Sequence, residues 1–209
     1  KDDELVTGIV YGGNTSKKKS IYQLGYFIEY NIIKKNKNIV PAIDANISEP
    51  FISPIINNKF KFYAVLSIIS LMNISIIEGQ KVRGIYISIK QILEIIIKKK
   101  QWISYYCEWL FILLKIIGYE IDYKNHIEFK YFNLYNQTFQ NLKKTNEIIF
   151  PHKLLIHNSS IKYSDINAIF IIFESIFTKN HLNNTKYIMP YHYKIFKTSI
   201  LKYLKNNHV

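Results

Sequence analysis

Hydrophobic and polar positions run in short blocks over the first fifty residues and then change to a helical period. Apolar runs bounded by turn residues at 5–11, 26–33 and 39–45 predict three strands. Gly12-Gly13 turns the chain after the first, and the polar stretch Asn14-Thr15-Ser16-Lys17-Lys18-Lys19 predicts a loop, closed by Gln23-Leu24-Gly25. A second polar turn, 34–38, carries Lys34, Lys35 and Lys37. Three antiparallel strands with basic turns suggest a piece of a small barrel, although three strands do not close one. Glu49-Pro50 and Pro54 mark a boundary.

Beyond about Asn57 the apolar spacing becomes helical. Residues 60–76 are apolar almost all round, as expected of a helix buried on most sides. Residues 85–98 put Ile85, Ile89, Ile92, Leu93 and Ile96 on one stripe, with Lys98-Lys99-Lys100 at the negative pole of the helix. Residues 102–117 place Trp102, Tyr105, Tyr106, Trp109, Leu113 and Ile116 at helical spacing up to Gly118, and their apolar neighbours make this stripe core rather than a base-stacking platform. Alternation returns at 128–142 and predicts a small hairpin. Ser164 reads as the N-cap of a helix over 165–179, and Pro190 opens a last helix ending near Lys205, with Lys194, Lys197, Lys202 and Lys205 on its polar positions. The pattern predicts an α+β chain: a partial N-terminal β-barrel over 1–50, then a mainly helical domain over 51–209.

Composition adds a partner class. The chain has 209 residues, 48% of them apolar, enough for a sizeable core. Lys+Arg number 28 against 15 for Asp+Glu, a formal net charge of +13 that points to a polyanion, nucleic acid before an anionic membrane surface. Heavy use of Ile, Lys, Asn and Tyr also fits AT-rich coding DNA, a bias that could explain part of the lysine excess and makes charge alone weaker evidence. The single Cys107 excludes an intramolecular disulfide and fits a reducing cytoplasm, and its aromatic and apolar neighbours make it a buried, inert thiol. No signal peptide is visible, and the longest uncharged run, 62–77, is broken by serines and asparagine, so a soluble protein is expected.

Catalytic motifs do not emerge. The chain has no Walker loop, no dinucleotide glycine fingerprint, no Gly-x-Ser-x-Gly and no His-Glu-x-x-His. His126, His152, His157, His181, His192 and His208 stand at no metal-ligand spacing with a cysteine or carboxylate. Acidic residues are scattered, and Asp2-Asp3-Glu4 is expected to fray. The expectation is a non-enzymatic protein with no cofactor and no metal.

The order of features resembles the RecO family of bacterial DNA repair and recombination mediators, in a divergent alphaproteobacterial-type form. The likeness runs from Gly8-Ile9-Val10-Tyr11-Gly12-Gly13 through Thr15 and the three lysines, where the family has a Ser/Arg-rich loop, to Gln23-Leu24-Gly25 in place of Gln-Pro-Gly. It continues at Glu49-Pro50, Glu78-Gly79-Gln80, Trp109, Leu113-Leu114, Gly118-Tyr119, Ile121-Asp122, 129–140 and Met189-Pro190. Departures are definite. Family members begin with strands that complete an OB barrel and are absent before Lys1, leaving a fragment and a reduced relative both open. Many carry four zinc-binding cysteines in the hairpin, where this chain has none, and Leu110 stands where a Glu is common.

The resemblance implies a partial OB fold and a cytoplasmic, nucleoid-associated mediator. Such a protein binds single- and double-stranded DNA, anneals complementary strands and, with RecR and single-strand-binding protein, loads RecA. Lys17, Lys18, Lys19, Lys34, Lys35 and Lys37 would displace counterions from DNA, and Tyr11, Tyr22 and Tyr26 would stack on bases if they share one face of the sheet. The acidic, apolar-ended tail of single-strand-binding protein would need a lysine-rimmed hydrophobic groove, which the sequence does not place. Two alternatives remain open: a basic helical interaction protein without DNA activity, and a protein bound at a membrane surface.

Overall fold

The computed structural model describes residues 3–33, 40–142, 145–156, 160–183 and 185–207. The chain is mixed α+β. In order it forms α1 (Ser16–Ile21), β1 (Phe27–Ile33), β2 (Ala42–Glu49), a 3-10 turn (Ser53–Ile55), α2 (Lys59–Ser75), α3 (Ile85–Lys98), α4 (Ile103–Ile116), β3 (Tyr131–Asn133), β4 (Thr138–Gln140), β5 (Glu147–Ile149), α5 (His152–Leu155), α6 (Tyr163–Ile176), a π-helical turn (Phe177–Leu182) and α7 (Tyr191–Asn206). No helix among the described residues is long and apolar enough to cross a membrane.

The core lies between α2, α4, α6 and α7. Helix α4 is its axis: Tyr106, Cys107, Trp109, Leu110, Leu113 and Leu114 are all buried. Phe170 and Phe173 of α6 and Tyr193 and Phe196 of α7 close around it, with the Tyr106 and Phe196 rings edge-on at 4.6 Å. Burying each large apolar side chain stabilises the fold by about 1.5–3 kcal/mol before the cost of ordering it. Two side-chain hydrogen bonds lie inside this core. Ser67 Oγ lies 2.7 Å from the Tyr106 hydroxyl, and Trp109 Nε1 donates to Ser88 Oγ at 3.1 Å. Cys107 is fully buried, and burial pushes its thiol well above the ordinary cysteine range, so little thiolate exists at neutral pH.

The expected hairpin near 128–142 forms as β3 and β4, but β5 adds a third strand to give the order β4-β3-β5, all antiparallel. Phe132 faces Phe139 on one side and Ile148 on the other. Rings hold this small sheet: Phe132 lies 5.1 Å from Phe139 and 5.9 Å from Phe150, and His126 stacks on Phe139 at 5.1 Å and 9°. The α6 start also departs from the pattern. Helix α6 begins at Tyr163 with Lys162 at the cap position, and Ser164 lies inside it, its hydroxyl donating to Asp165.

The N-terminal part differs most. Residues 5–11 form no strand, because their backbone groups pair elsewhere. Thr7 N–H donates to the Glu78 carboxylate, and Ile9 makes a single parallel bridge to Ala42. The third expected strand lies three residues later, as β2. Among the described residues β1 and β2 form a two-stranded antiparallel ribbon, with Tyr30 opposite Ala45, and no closed barrel exists. The acidic start does not fray at Asp3; Asp2 lies outside the described residues. Asp3 sits at φ +54 and caps α3, its carboxylate accepting from Gly84 N–H at 2.8 Å and Tyr86 N–H at 2.9 Å. Those two backbone donors hold its pKa below the usual carboxylate range.

Candidate nucleic-acid interface

The stretch expected to be a lysine loop is a short helix. Gly12 takes φ +68, and the Thr15 hydroxyl donates to Gly12 carbonyl at 2.8 Å while accepting from Lys18 N–H at 3.4 Å. Thr15 is therefore an N-cap, in the β-region conformation that position requires. One and a half helical turns then project three successive lysines about 100° apart instead of along one edge.

That geometry divides them. Lys18 folds back onto β2 and forms a hydrogen-bonded ion pair with Asp44. The pair raises the Lys18 pKa and lowers that of Asp44, each chiefly through their shared hydrogen bond. Lys17 and Lys19 are exposed and form no ion pair among the described residues. Lys34, Lys35 and Lys37 lie outside the described residues.

The three tyrosines do not share a face. Tyr11 is 69% exposed beside the Gly12 turn. Tyr22 is half-buried, its hydroxyl donating to Ile43 carbonyl at 3.3 Å on the edge of β2. Tyr26 packs against the helical core. It is held there by Gly25 at φ +84, where an added Cβ would lie 2.3 Å from Ile52 Cδ1. A fourth ring, Tyr30, is 42% exposed and is not among the tyrosines that the sequence pattern singles out. It lies on β1 between Ile28 and Ile32 of the same ribbon face, and alternation along residues 27–33 is the signal that places it.

A second feature lies on the helices. An apolar groove of about 450 Å³ runs between α3 and α4, lined by Ile87, Ile92, Ile95, Tyr105, Trp109 and Ile112. Lys99 stands at one end with Nζ 3.8 Å from the Tyr105 ring centre. Glu108 also borders the groove and lies 3.8 Å from Lys124. Among the described residues no three His, Cys, Asp or Glu side chains are placed to hold a metal ion. His157 and His208 lie outside those residues.

The arrangement offers exposed ammonium groups on a capped helix and an exposed ring in the turn before it, a binding chemistry that requires no bond to be made or broken. Compared with known proteins, the chain matches no family model, no curated protein and no solved structure.

Proposed function

We propose that the protein binds DNA without catalysing a reaction on it and acts as a recombination mediator of the RecO kind. It takes up single- and double-stranded DNA, lets complementary strands anneal by lowering their mutual repulsion, and cooperates with RecR and single-strand-binding protein in loading RecA at the nucleoid. The observation that supports the binding step is the pairing pattern on α1. Lys17 and Lys19 are left without a carboxylate partner among the described residues, in a chain of net charge +13, while Lys18 secures the helix to the ribbon. Unpaired ammonium groups on a fixed helix displace counterions from a phosphate backbone, and Tyr11 adds a ring on which a base stacks. The α3–α4 groove is the seat this reading assigns to the acidic, apolar-ended tail of single-strand-binding protein.

The test is a salt titration of oligonucleotide binding. Lys17→Glu with Lys19→Glu is expected to weaken binding at moderate salt and to flatten the plot of log K against log salt by about 0.9 for each duplex phosphate no longer neutralised. Unchanged affinity sinks the role of α1. A flat salt dependence in the intact chain favours a helical interaction protein, and co-sedimentation with anionic vesicles in place of DNA favours a membrane surface.

A further inference from the structure

A second basic surface forms where three helix ends meet. Lys59 and Lys61 lie in the first turn of α2, Lys98 closes α3 with Lys99 and Lys100 following, and Lys202 and Lys205 occupy the last turns of α7. Two contacts bring these segments to one end of the bundle. Lys61 Nζ donates to the carbonyls of Ile97 at 3.0 Å and Lys99 at 3.3 Å, tying the start of α2 to the end of α3. The Phe60 ring of α2 lies 4.9 Å from the Tyr203 ring of α7. Glu94 pairs with Lys98 at 3.2 Å; the other six lysines form no ion pair among the described residues.

Helix electrostatics explains part of this clustering. Cations suit the C-terminal poles of α3 and α7. The same rule opposes Lys59 and Lys61, which stand at the positive pole of α2 in a first turn with no acidic residue. Lys61 relieves its position by donating to the terminal carbonyls of α3. Lys59 has the Tyr63 ring, 5.7 Å away. An anion from outside would turn this unfavourable placement into a favourable one. The apolar neighbours of these lysines are tyrosines: Tyr63 beside Lys59, Tyr105 beneath Lys99, and Tyr203, 46% exposed, beside Lys202. Alternating ammonium groups and rings suit a nucleic-acid strand, whose phosphates and base faces alternate in the same way.

We propose that this end of the bundle is a second nucleic-acid-binding surface, with no residue in common with α1, so that one molecule holds two stretches of strand at once. The inference rests on the nucleic-acid reading above for the identity of the polyanion and on different residues for its place.

Two variants of the full chain separate the two surfaces. One carries Lys59→Gln, Lys99→Gln, Lys100→Gln, Lys202→Gln and Lys205→Gln; the other carries Lys17→Gln and Lys19→Gln. Oligothymidylate binding is followed by fluorescence anisotropy against salt, and bridging by energy transfer between two labelled oligonucleotides. The fivefold variant is expected to lose about 0.7 of slope for each lysine engaged by a single strand and to lose bridging, with its circular dichroism unchanged. Wild-type slope and bridging in that variant overturn the proposal, even where the α1 variant binds weakly. Loss confined to the fivefold variant upholds the second surface and removes α1 from the function proposed above. Lys59→Glu alone is expected to weaken binding while raising the melting temperature, because the charge reversal suits the helix pole; a fall in both marks a merely structural lysine. Capture of anionic vesicles by the intact chain, lost in the fivefold variant while oligothymidylate affinity is kept, overturns the assignment to nucleic acid.

Discussion

Replacing Asp44 by Asn tests whether Lys18, paired within the fold, can be turned into a ligand-meeting lysine like those proposed for Lys17 and Lys19. Asp44 is the partner of Lys18, and the pair lies at the surface with its carboxylate exposed, so the ion pair adds little to stability and the variant folds. Helix α1 keeps its Thr15 cap. The substitution gives Lys18 an uncompensated charge next to Lys17 and Lys19. If α1 lies against a phosphate backbone, one further ammonium group joins the contact and the salt slope on duplex DNA steepens by about 0.9. Over a fourfold change in salt, that slope corresponds to about 3.5-fold in affinity. Glu128→Gln supplies the control, since it raises the net charge equally from an exposed position that forms no ion pair among the described residues. The assay is anisotropy of a labelled duplex across a salt series for both variants. Equal gains from Asp44→Asn and Glu128→Gln would refute a local contact and leave only the overall field of the molecule. An unchanged slope in Asp44→Asn would refute docking at α1 outright. The same logic orders the single substitutions: Lys17→Gln and Lys19→Gln are expected to cost more affinity than Lys18→Gln, whose charge Asp44 already offsets.

Two further predictions concern stability. Phe132 is fully buried among Phe139 and Phe150, and Phe132→Ala is expected to cost about 3–5 kcal/mol in urea unfolding; a loss below about 1 kcal/mol would mean that the rings do not hold the three-stranded sheet. Acid should destabilise the fold in two stages. Burial holds His152 below the usual histidine range, so its neutral form belongs to the folded state and stability falls as the pH drops through about 6.5, the ordinary histidine value. Asp3 is held low by the Gly84 and Tyr86 donors, so its contribution is present above the ordinary carboxylate range and is lost as pH falls through it. His152→Gln should flatten the first stage and Asp3→Asn the second in thermal melts across pH; stages left intact in both variants would contradict these assignments.

The long helices are legible in the sequence because their apolar spacing is sustained over three or more turns, enough to outweigh local propensity. Residues 85–98 are bounded to the residue, with Gly84 and the lysines supplying start and stop. What the pattern hides is decided by contacts distant in sequence. Residues 5–11 have strand composition, yet Glu78 and Pro41 take their backbone groups, and those partners lie 71 and 32 positions away from Thr7 and Ile9. Three consecutive lysines after a double glycine read as a loop because charge dominates the pattern; Thr15 then caps a helix of only six residues, shorter than any period can reveal. Strand β5 has three residues and is hidden for the same reason. At the candidate site the lysine types are legible and their division is not, since nothing local to Lys18 announces Asp44. The end of the bundle is visible only as separate lysine runs, because α2, α3 and α7 meet through tertiary packing.

The ribbon is tied to the helices at several points. Phe27 of β1 packs its ring 4.6 Å from Phe51 and 5.8 Å from Tyr86 of α3. Glu49, the last residue of β2, lies 3.4 Å from Lys90 of α3, and Asp3 caps the same helix. Gly25 admits Ile52 and Val65 against the chain just before β1. Helix α1 meets β2 at the Lys18–Asp44 pair and, just past its end, where the Tyr22 hydroxyl donates to the Ile43 carbonyl, so its lysines follow the position of the ribbon, which in turn rests on α3. Helix α3 also ends in Lys98, Lys99 and Lys100. The same helix thus anchors the module that carries one basic surface and contributes its terminus to the other. If both surfaces bind nucleic acid as proposed, a strand released at one stays near the other, where rebinding is favoured by local concentration rather than by tighter contact. On that proposal, coupling of this kind would let weak, salt-sensitive phosphate contacts hold two strands long enough to pair, without a deep site for either.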